Sequence, residues 1–374
     1  MPALVHALAT ATPPHAYPEA ELAARLRGWV RDPSLRALLD RVHARSGILR
    51  RHSALPDFGP DGGELFRPGP DGSVAAPGTA ARNRAYARAA RPLAAEVGRR
   101  ALAEAGFRPG EVTHVVFATC TGFVNPGPDY HLVRDLGLPE SVERTTVGFM
   151  GCYAALPALR LAQQACLADP SAVALVVCLE LCTLHMQPEA SAESIVANAL
   201  FADGAAAAVV SARPVASGRA HYVLGDFRSA LLPSGETQMA WEVGDHGFRM
   251  VLSAYVPELI GANIRGIVDG LLAPRGLAGG DIAEWAVHPG GRAILDEVGR
   301  QLALPEGALA AARGVLRDHG NMSSPTVLFV LRRLLETGGP GRAPTCALAF
   351  GPGLTVESAL LERVGAATPA ALPS

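Results

Sequence analysis

Short apolar runs alternating with longer segments rich in Ala, Leu and Arg constrain this chain more than any other feature. THVVFAT (113–119), AVALVVCLEL (172–181), AAAAVV (205–210), EWAVH (284–288) and TCALAF (345–350) have the length and continuous apolarity of strands buried on both faces. Segments 82–106, 152–168, 256–273, 290–303 and 323–336 carry helical composition and spacing. Strands alternating with helices give an α/β fold, because a parallel crossover needs a helix to return the chain. At 374 residues the chain exceeds the size at which one core keeps growing. Two α/β halves are therefore expected, 1–211 and 212–364, with a seam in the Pro-, Gly- and Ser-containing stretch 212–236. Segment 53–79, dense in Pro, Gly and Asp, reads as a weakly ordered surface insertion, and the tail 365–374 as disordered.

Composition removes whole chemistries. All 33 basic residues are arginine, so no reaction that needs a lysine amine is available, including pyridoxal-phosphate and Schiff-base catalysis, Ser-Lys hydrolysis and the lysine-bearing phosphate loop. The net charge of −2 carries no basic excess and disfavours nucleic acid as a partner. The six cysteines, Cys120, Cys152, Cys166, Cys178, Cys182 and Cys346, form no CxxC pair, so neither a zinc ribbon nor a thioredoxin-type motif is present and no metal is expected. MPALVHALATATPP lacks a basic n-region and is broken by prolines, and no apolar run approaches the roughly 18 residues of a membrane span. The expectation is a cytoplasmic protein with no membrane partner.

Three places carry chemistry. In VGFMGCYAALPALRLA (147–162) a strand-like approach and a glycine lead into a helix that starts at Cys152. A thiol at a helix N-terminus faces the positive end of the dipole, which favours thiolate, and Gly151 clears space for a substrate carbonyl. Cysteine also packs well in cores, which is the ordinary reading of Cys166, Cys178 and Cys346 inside apolar runs. In EWAVHPGGRAILDEV (284–298) His288 ends a strand just before Pro-Gly-Gly and a helix, the position where α/β proteins place reactive groups. In RDHGNMSSPTVLFVLRRLL (317–335) Asn321 follows a glycine and precedes a helix start; alone it reads as a cap. Together Cys, His and Asn supply a nucleophile, its base and a neutral hydrogen-bond donor. Their order and rough spacing also occur in papain-like proteases, whose cysteine context differs from GCYA.

These segments resemble type III polyketide synthases, the chalcone-synthase-like enzymes of the thiolase superfamily. MGCYAALPALRLA, WAVHPGGRAILDEV, HGNMSSPTVLFVL and AFGPGLTVESALL (349–361) carry the resemblance, which covers roughly 1–55 and 80–364. Two departures stand out: the family's usual GFGPG begins here with Ala349, and its usual FGDG has Ala202 for glycine. The resemblance implies a thiolase-like fold of two αβαβα halves in five layers, and a homodimer. It also implies an acyltransferase without a cofactor that takes an acyl-CoA starter on Cys152 and extends it by decarboxylative condensation with malonyl-CoA. The chain-initiating ketoacyl-ACP synthases, which condense once, are the nearest alternative, followed by an inactive scaffold homologue.

The resemblance further implies gatekeepers at Phe201 and Phe248. It implies a pocket lined by Cys120, Thr121, Asn125, Cys182, His185, Met239, Ser323, Pro352 and Gly353. CoA contacts would come from Arg45, Arg50 and Arg51 in RVHARSGILRRHS (41–53), with Gly290 and Gly291 beside them. Arginine suits phosphate, since its planar fork binds two oxygens at once.

Overall fold

The computed structural model describes residues 1–60, 63–69, 73–216 and 218–366. Nine strands form one hydrogen-bonded sheet. From one edge it runs β5 (Glu143–Gly148), β4 (His114–Thr119), β6 (Val173–Leu181), β7 (Asp203–Ser211) and β1 (Leu4–Ala11), then β8 (His221–Leu231), β13 (Thr355–Val364), β12 (Arg342–Gly351) and β11 (Glu284–Val287). Two smaller pairs join β2 (His15–Pro18) to β3 (Arg50–Ser53) and β9 (Met239–Gly244) to β10 (Gly247–Leu252). The helices are α1 (Glu19–Trp29), α2 (Pro33–Arg45), α3 (Thr79–Ala105), α4 (Pro128–Leu136), α5 (Ala155–Ala168), α6 (Ala192–Leu200), α7 (Val256–Leu272), α8 (Arg292–Gln301), α9 (Ala310–His319) and α10 (Thr326–Thr337).

β6 and β7 are buried at every position, as their unbroken apolar runs require. β5, ERTTVG, sits at the sheet edge and is mostly exposed, so it carries no apolar signature. α5 touches β4, β6 and β7 and also β8 and β13, while α10 touches β1, β7, β11 and β12. Strands lie about 4.8 Å apart and a helix is only about 10–12 Å wide. One helix reaches both β4 and β13 only because the sheet turns around it. The result is five layers: α3 and α4, the first half of the sheet, α5 with α10, the second half, and α7. The main core fills the space around α5 and α10, and a second core lies under α3 and α4.

β8 lies within the stretch 212–236 expected as the seam; it pairs with β13 and, at Leu4↔Val223 and Val5↔Tyr222, with β1, so the two halves share one sheet. One expectation changes. Segment 53–79 is anchored rather than loose. Phe58 and Phe66 are buried and pack with Tyr17 and Trp29, and the Asp57 carboxylate accepts the Leu65 N–H at 2.6 Å and the Phe66 N–H. Apolar burial and an internal acceptor outweigh its turn-rich composition. Residues 61, 62 and 70–72 of this segment, and 367–374 of the tail, lie outside the described residues. At the start of the tail the Gly365 N–H donates to the Gly341 carbonyl at 2.7 Å, so order extends past β13.

Candidate active site

After β5 the chain turns through Phe149 and Gly151, both at positive φ (59° and 78°), into a 3₁₀ turn, Gly151–Tyr153, that opens α5. The turn packs against the loop after β12: a β-carbon at position 151 would sit 2.6 Å from Pro352 Cδ. Glycine is required there twice over, by conformation and by space. Cys152 is thereby held in the turn that precedes α5, 6% exposed.

Burial decides its protonation. Loss of water pushes the Cys152 thiol up to about 12, against hydrogen bonds with Ser323 and Asn321 that favour the thiolate. Burial thus opposes the thiolate expected from the helix end and favours the neutral thiol. His288 follows β11, its backbone N–H fixed on the Leu348 carbonyl at 2.7 Å. It is 1% exposed, and burial lowers its imidazole to about 3, so the ring is neutral. Both ring nitrogens are buried without a hydrogen-bond partner among the described residues. Such a group is costly unless something else binds there.

Asn321 follows α9 through Gly320, at φ 73°. Its Oδ1 accepts the Ser323 N–H at 2.8 Å, which fixes the amide and turns Nδ2 toward the Gly290 carbonyl at 3.3 Å. Cys152, His288 and Asn321 line one cavity of about 30 Å³ together with Cys120, Ser323 and Gly290. Its far wall is the β9–β10 hairpin. Register pairs Met239 with Leu252 and Trp241 with Met250, and all four face the cavity. Behind Cys120 lies Glu180, fully buried, accepting from the Cys120 N–H (2.8 Å), Thr121 Oγ1 (2.8 Å) and Ser324 Oγ (2.6 Å). Burial raises this carboxyl to about 7.

Comparison with known proteins gives the family. The pattern described as "Chalcone and stilbene synthases, N-terminal domain" matches residues 1–214, and "Chalcone and stilbene synthases, C-terminal domain" matches 226–365. The chain belongs to the chalcone and stilbene synthase family. It is 34% identical over 368 residues to the alpha-pyrone synthesis polyketide synthase-like Pks18 of Mycobacterium tuberculosis, covering 97% of this chain and 91% of that one. It is 32% identical to the 1,3,6,8-tetrahydroxynaphthalene synthase of Streptomyces peucetius subsp. caesius, covering 96% and 92%. Among solved structures, PKS-I from the brown alga Ectocarpus siliculosus superposes with a TM-score of 0.91 at 33% identity, covering 97% and 98%. The tetrahydroxynaphthalene synthase of Streptomyces coelicolor A3(2) gives 0.86 at 29%, covering 97% and 99%. The chain is thus a type III polyketide synthase, an acyltransferase of thiolase-like fold.

Residues carried over from the family divide. Cys120, Cys182, Met239, Ser323 and Pro352 line the catalytic cavity, as does Phe201. Phe248 does not. It is 2% exposed and stacked on the His185 ring at 4.1 Å, with Phe123, Phe149 and Trp241 around it. β10 places it two cross-strand pairs beyond Met250↔Trp241, so Met250, not Phe248, meets Phe201 there. Sequence reading missed Met250 because the hairpin was not recognised; the alternation in MAWEV and FRMVL was the available signal.

Thr121 also leaves the wall, its hydroxyl donating to Glu180 and accepting the Leu181 N–H at 2.9 Å. His185 lines a neighbouring cavity, with both ring nitrogens engaged: Nε2–H donates to the Thr121 carbonyl at 2.8 Å and Nδ1 accepts the Phe248 N–H at 3.0 Å. Asn125 is exposed on a separate surface pocket beside Phe123, and Gly353, at φ 72°, forms the turn behind Pro352 without lining the cavity.

Arg45 and Arg50 are exposed. Arg51 is not: 1% exposed, its guanidinium holds Glu19 at 2.8 Å and donates to the Asn198 and Phe201 carbonyls, so it ties structure together and has no face for phosphate. Gly290 lines the cavity, whereas Gly291 is buried against Leu200. Among the described residues no helix is long and apolar enough to cross a membrane.

Proposed function

We propose that Cys152 accepts a starter acyl group from coenzyme A, that His288 and Asn321 serve both acyl transfer and malonyl-CoA decarboxylation, and that the extended chain is released by cyclisation to a pyrone or phenolic product. One observation carries this: the three side chains, drawn from both halves of the fold, converge on one buried cavity in which His288 has two unengaged nitrogens.

A thiol near 12 beside an imidazole near 3 is a neutral pair at rest. As sulfur attacks the thioester carbonyl, its proton passes to His288; the C–S bond to coenzyme A breaks and the departing thiolate takes that proton back. Malonyl-CoA then loses CO₂, and the electron pair of the broken C–C bond moves onto the thioester oxygen. That oxygen needs donors rather than a base. The fixed Asn321 Nδ2–H and an N–H of His288 supply them in a site with little water. The carbanion attacks the Cys152 thioester, the sulfur leaves, and the chain is two carbons longer.

In this reading 1–211 is the half that carries the nucleophile and 212–364 the half that carries its partners, in a cytoplasmic homodimer that needs no cofactor beyond its CoA thioesters. Six free, buried cysteines suit a reducing compartment. Exposed Arg45 and Arg50 are assigned to the CoA phosphates. Support comes from Gly47, whose β-position would lie 3.8 Å from Arg292 Cδ, on the helix whose first turn lines the cavity at Ile294. Intact-mass measurement after mixing with acyl-CoA tests the first step. An acyl adduct that is lost in Cys152→Ala supports it; an adduct that persists in that variant refutes it.

A further inference from the structure

Positive charge collects on one face of the molecule, although the chain as a whole carries a net charge of −2. Arg41 and Arg45 stand one turn apart on the same side of α2, and Arg50 follows at the start of β3. Their side chains are exposed and make no hydrogen bond or ion pair among the described residues. Arg292 at the start of α8, with Arg313 and Arg317 on α9, completes the group, all three exposed. The elements touch. A β-carbon on Gly47 would lie 3.8 Å from Arg292 Cδ, Arg292 and Arg313 share the Asp296 carboxylate, and the Leu49 N–H donates to the Arg317 carbonyl at 2.7 Å. Six guanidinium groups are thus paired with two carboxylates, Asp296 and Asp318, and Asp318 is shared with Arg333.

Between Arg45, Arg50 and Arg317 stands Leu49, 66% exposed. Its N–H is held by Arg317 and its carbonyl accepts the Glu19 N–H at 3.0 Å, so an apolar side chain is presented to water from a fixed backbone. One exposed leucine needs no explanation by itself. A fixed one, ringed by arginines that lack carboxylates, has the make-up of an interface with an apolar centre and a charged rim.

We infer that this face docks a small acidic protein that carries an acyl group as a phosphopantetheine thioester, and that Cys152 takes its starter from that carrier as well as from coenzyme A. The inference rests on the function proposed above and adds a partner to the same site.

Position ties the face to the chemistry. Arg292 lies between Gly290 and Ile294, which line the cavity of Cys152, and Arg317 lies four residues before Asn321, which lines it as well. A thioester arm whose phosphate sits among these arginines reaches Cys152 past the first turn of α8. Charge selects the partner. A carboxylate-rich surface is attracted and steered by the rim. Leu49 adds nothing to the binding of a phosphate, but it gives a folded partner an apolar contact that excludes water. The transfer itself keeps the same atoms in play. Cys152 sulfur attacks the thioester carbon, its proton passes to His288, the C–S bond to the phosphopantetheine breaks, and the departing sulfur takes that proton.

The test measures kcat/KM for acylation of Cys152 by octanoyl-CoA and by octanoyl-phosphopantetheine on a purified bacterial acyl carrier protein. Wild type is compared with a variant combining Leu49→Ser, Arg313→Gln and Arg317→Gln. Arg45 and Arg50 stay in place for the CoA phosphates, Asp296 keeps Arg292, and Asp318 keeps Arg333, so no carboxylate is left alone. The carrier reaction is expected to fall at least tenfold in the variant and to weaken with added salt in wild type, because salt screens an exposed rim. The CoA reaction is expected to stay within threefold. An equal fall for both donors overturns the inference and leaves the face as a phosphate site for coenzyme A; so does a carrier reaction within twofold of wild type. Thermal unfolding is recorded, and Leu49→Ser with Arg317→Gln takes the place of the triple variant if the latter does not fold. A wild type acylated by octanoyl-CoA but not by the carrier refutes the inference alone; one acylated by neither donor, with acetyl as well as octanoyl groups, refutes the proposed function with it.

Discussion

Phe201 and Asn321 form a one-residue parallel bridge: the Asn321 N–H donates to the Leu200 carbonyl at 2.9 Å, and the Ala202 N–H donates to the Asn321 carbonyl at 2.9 Å. The cavity wall contributed by the first half and the amide contributed by the second are thus one backbone unit. Side-chain placement at Asn321 follows from that bridge and from the Ser323 N–H on its Oδ1.

Asn321→Asp keeps the size of the side chain and removes its N–H donors. A carboxylate cannot donate to a forming enolate and adds repulsion. The rate of malonyl-CoA decarboxylation is expected to fall about 10²–10³-fold with KM little changed. Decarboxylation at the wild-type rate would exclude Asn321 as a donor.

Gly151→Ala and Gly137→Ala separate conformation from crowding. Both glycines have positive φ, 78° and 68°, but nothing lies within 4 Å of a β-carbon at 137, whereas Pro352 Cδ lies 2.6 Å away at 151. The 137 variant should lose about 1–2 kcal/mol. The 151 variant should lose about 1–3 kcal/mol more from overpacking, and acylate Cys152 more slowly because the turn that holds it must shift. Denaturant unfolding of both proteins measures the difference.

Glu180 gives a pH-dependent stability with a definite sign. Burial raises its carboxyl from 4.5 to about 7 in the folded state. The folded protein therefore binds this proton more tightly than the unfolded chain does. The contribution is fully present below pH 4.5 and is lost as pH rises through about 7, for about 3 kcal/mol in all. Glu180→Gln does not titrate. Its melting temperature, relative to wild type, should climb between pH 5 and pH 8; a constant difference across that range would show that Glu180 keeps an ordinary pKa.

Arginines of one short segment should part company. Arg51→Ala leaves the buried Glu19 with only His43 beside it and is expected to cost about 3–5 kcal/mol. Arg45→Glu combined with Arg50→Glu should leave the melting temperature within a degree or two and raise KM for malonyl-CoA severalfold. Equal stability losses in the two proteins would contradict the assigned roles.

Much of the site was legible because it stands at junctions. Cys152, His288 and Asn321 each occupy a strand-to-helix or helix-to-helix turn whose glycines and prolines are visible in one dimension. Legibility failed where the deciding quantity was a relation across space. Phe248 and Met250 lie two positions apart on one strand and so share a face, and only the position of the cavity along the hairpin decides that Met250 lines it and Phe248 does not.

The sequence by itself determined the α/β alternation, the chemistry left to a chain without lysine, and the three residues to which that chemistry is assigned in the proposed function. Tertiary structure decided that β8 joins the two halves, that Arg51 is a tie rather than a phosphate ligand, that Met250 faces Phe201, and that Cys152 rests as a thiol. The reason is common to Arg51 and Cys152. Local sequence fixes backbone preference and dipole, but the free energy of a charge depends on how much water its neighbours exclude, and those neighbours come from strands and helices far apart in the chain.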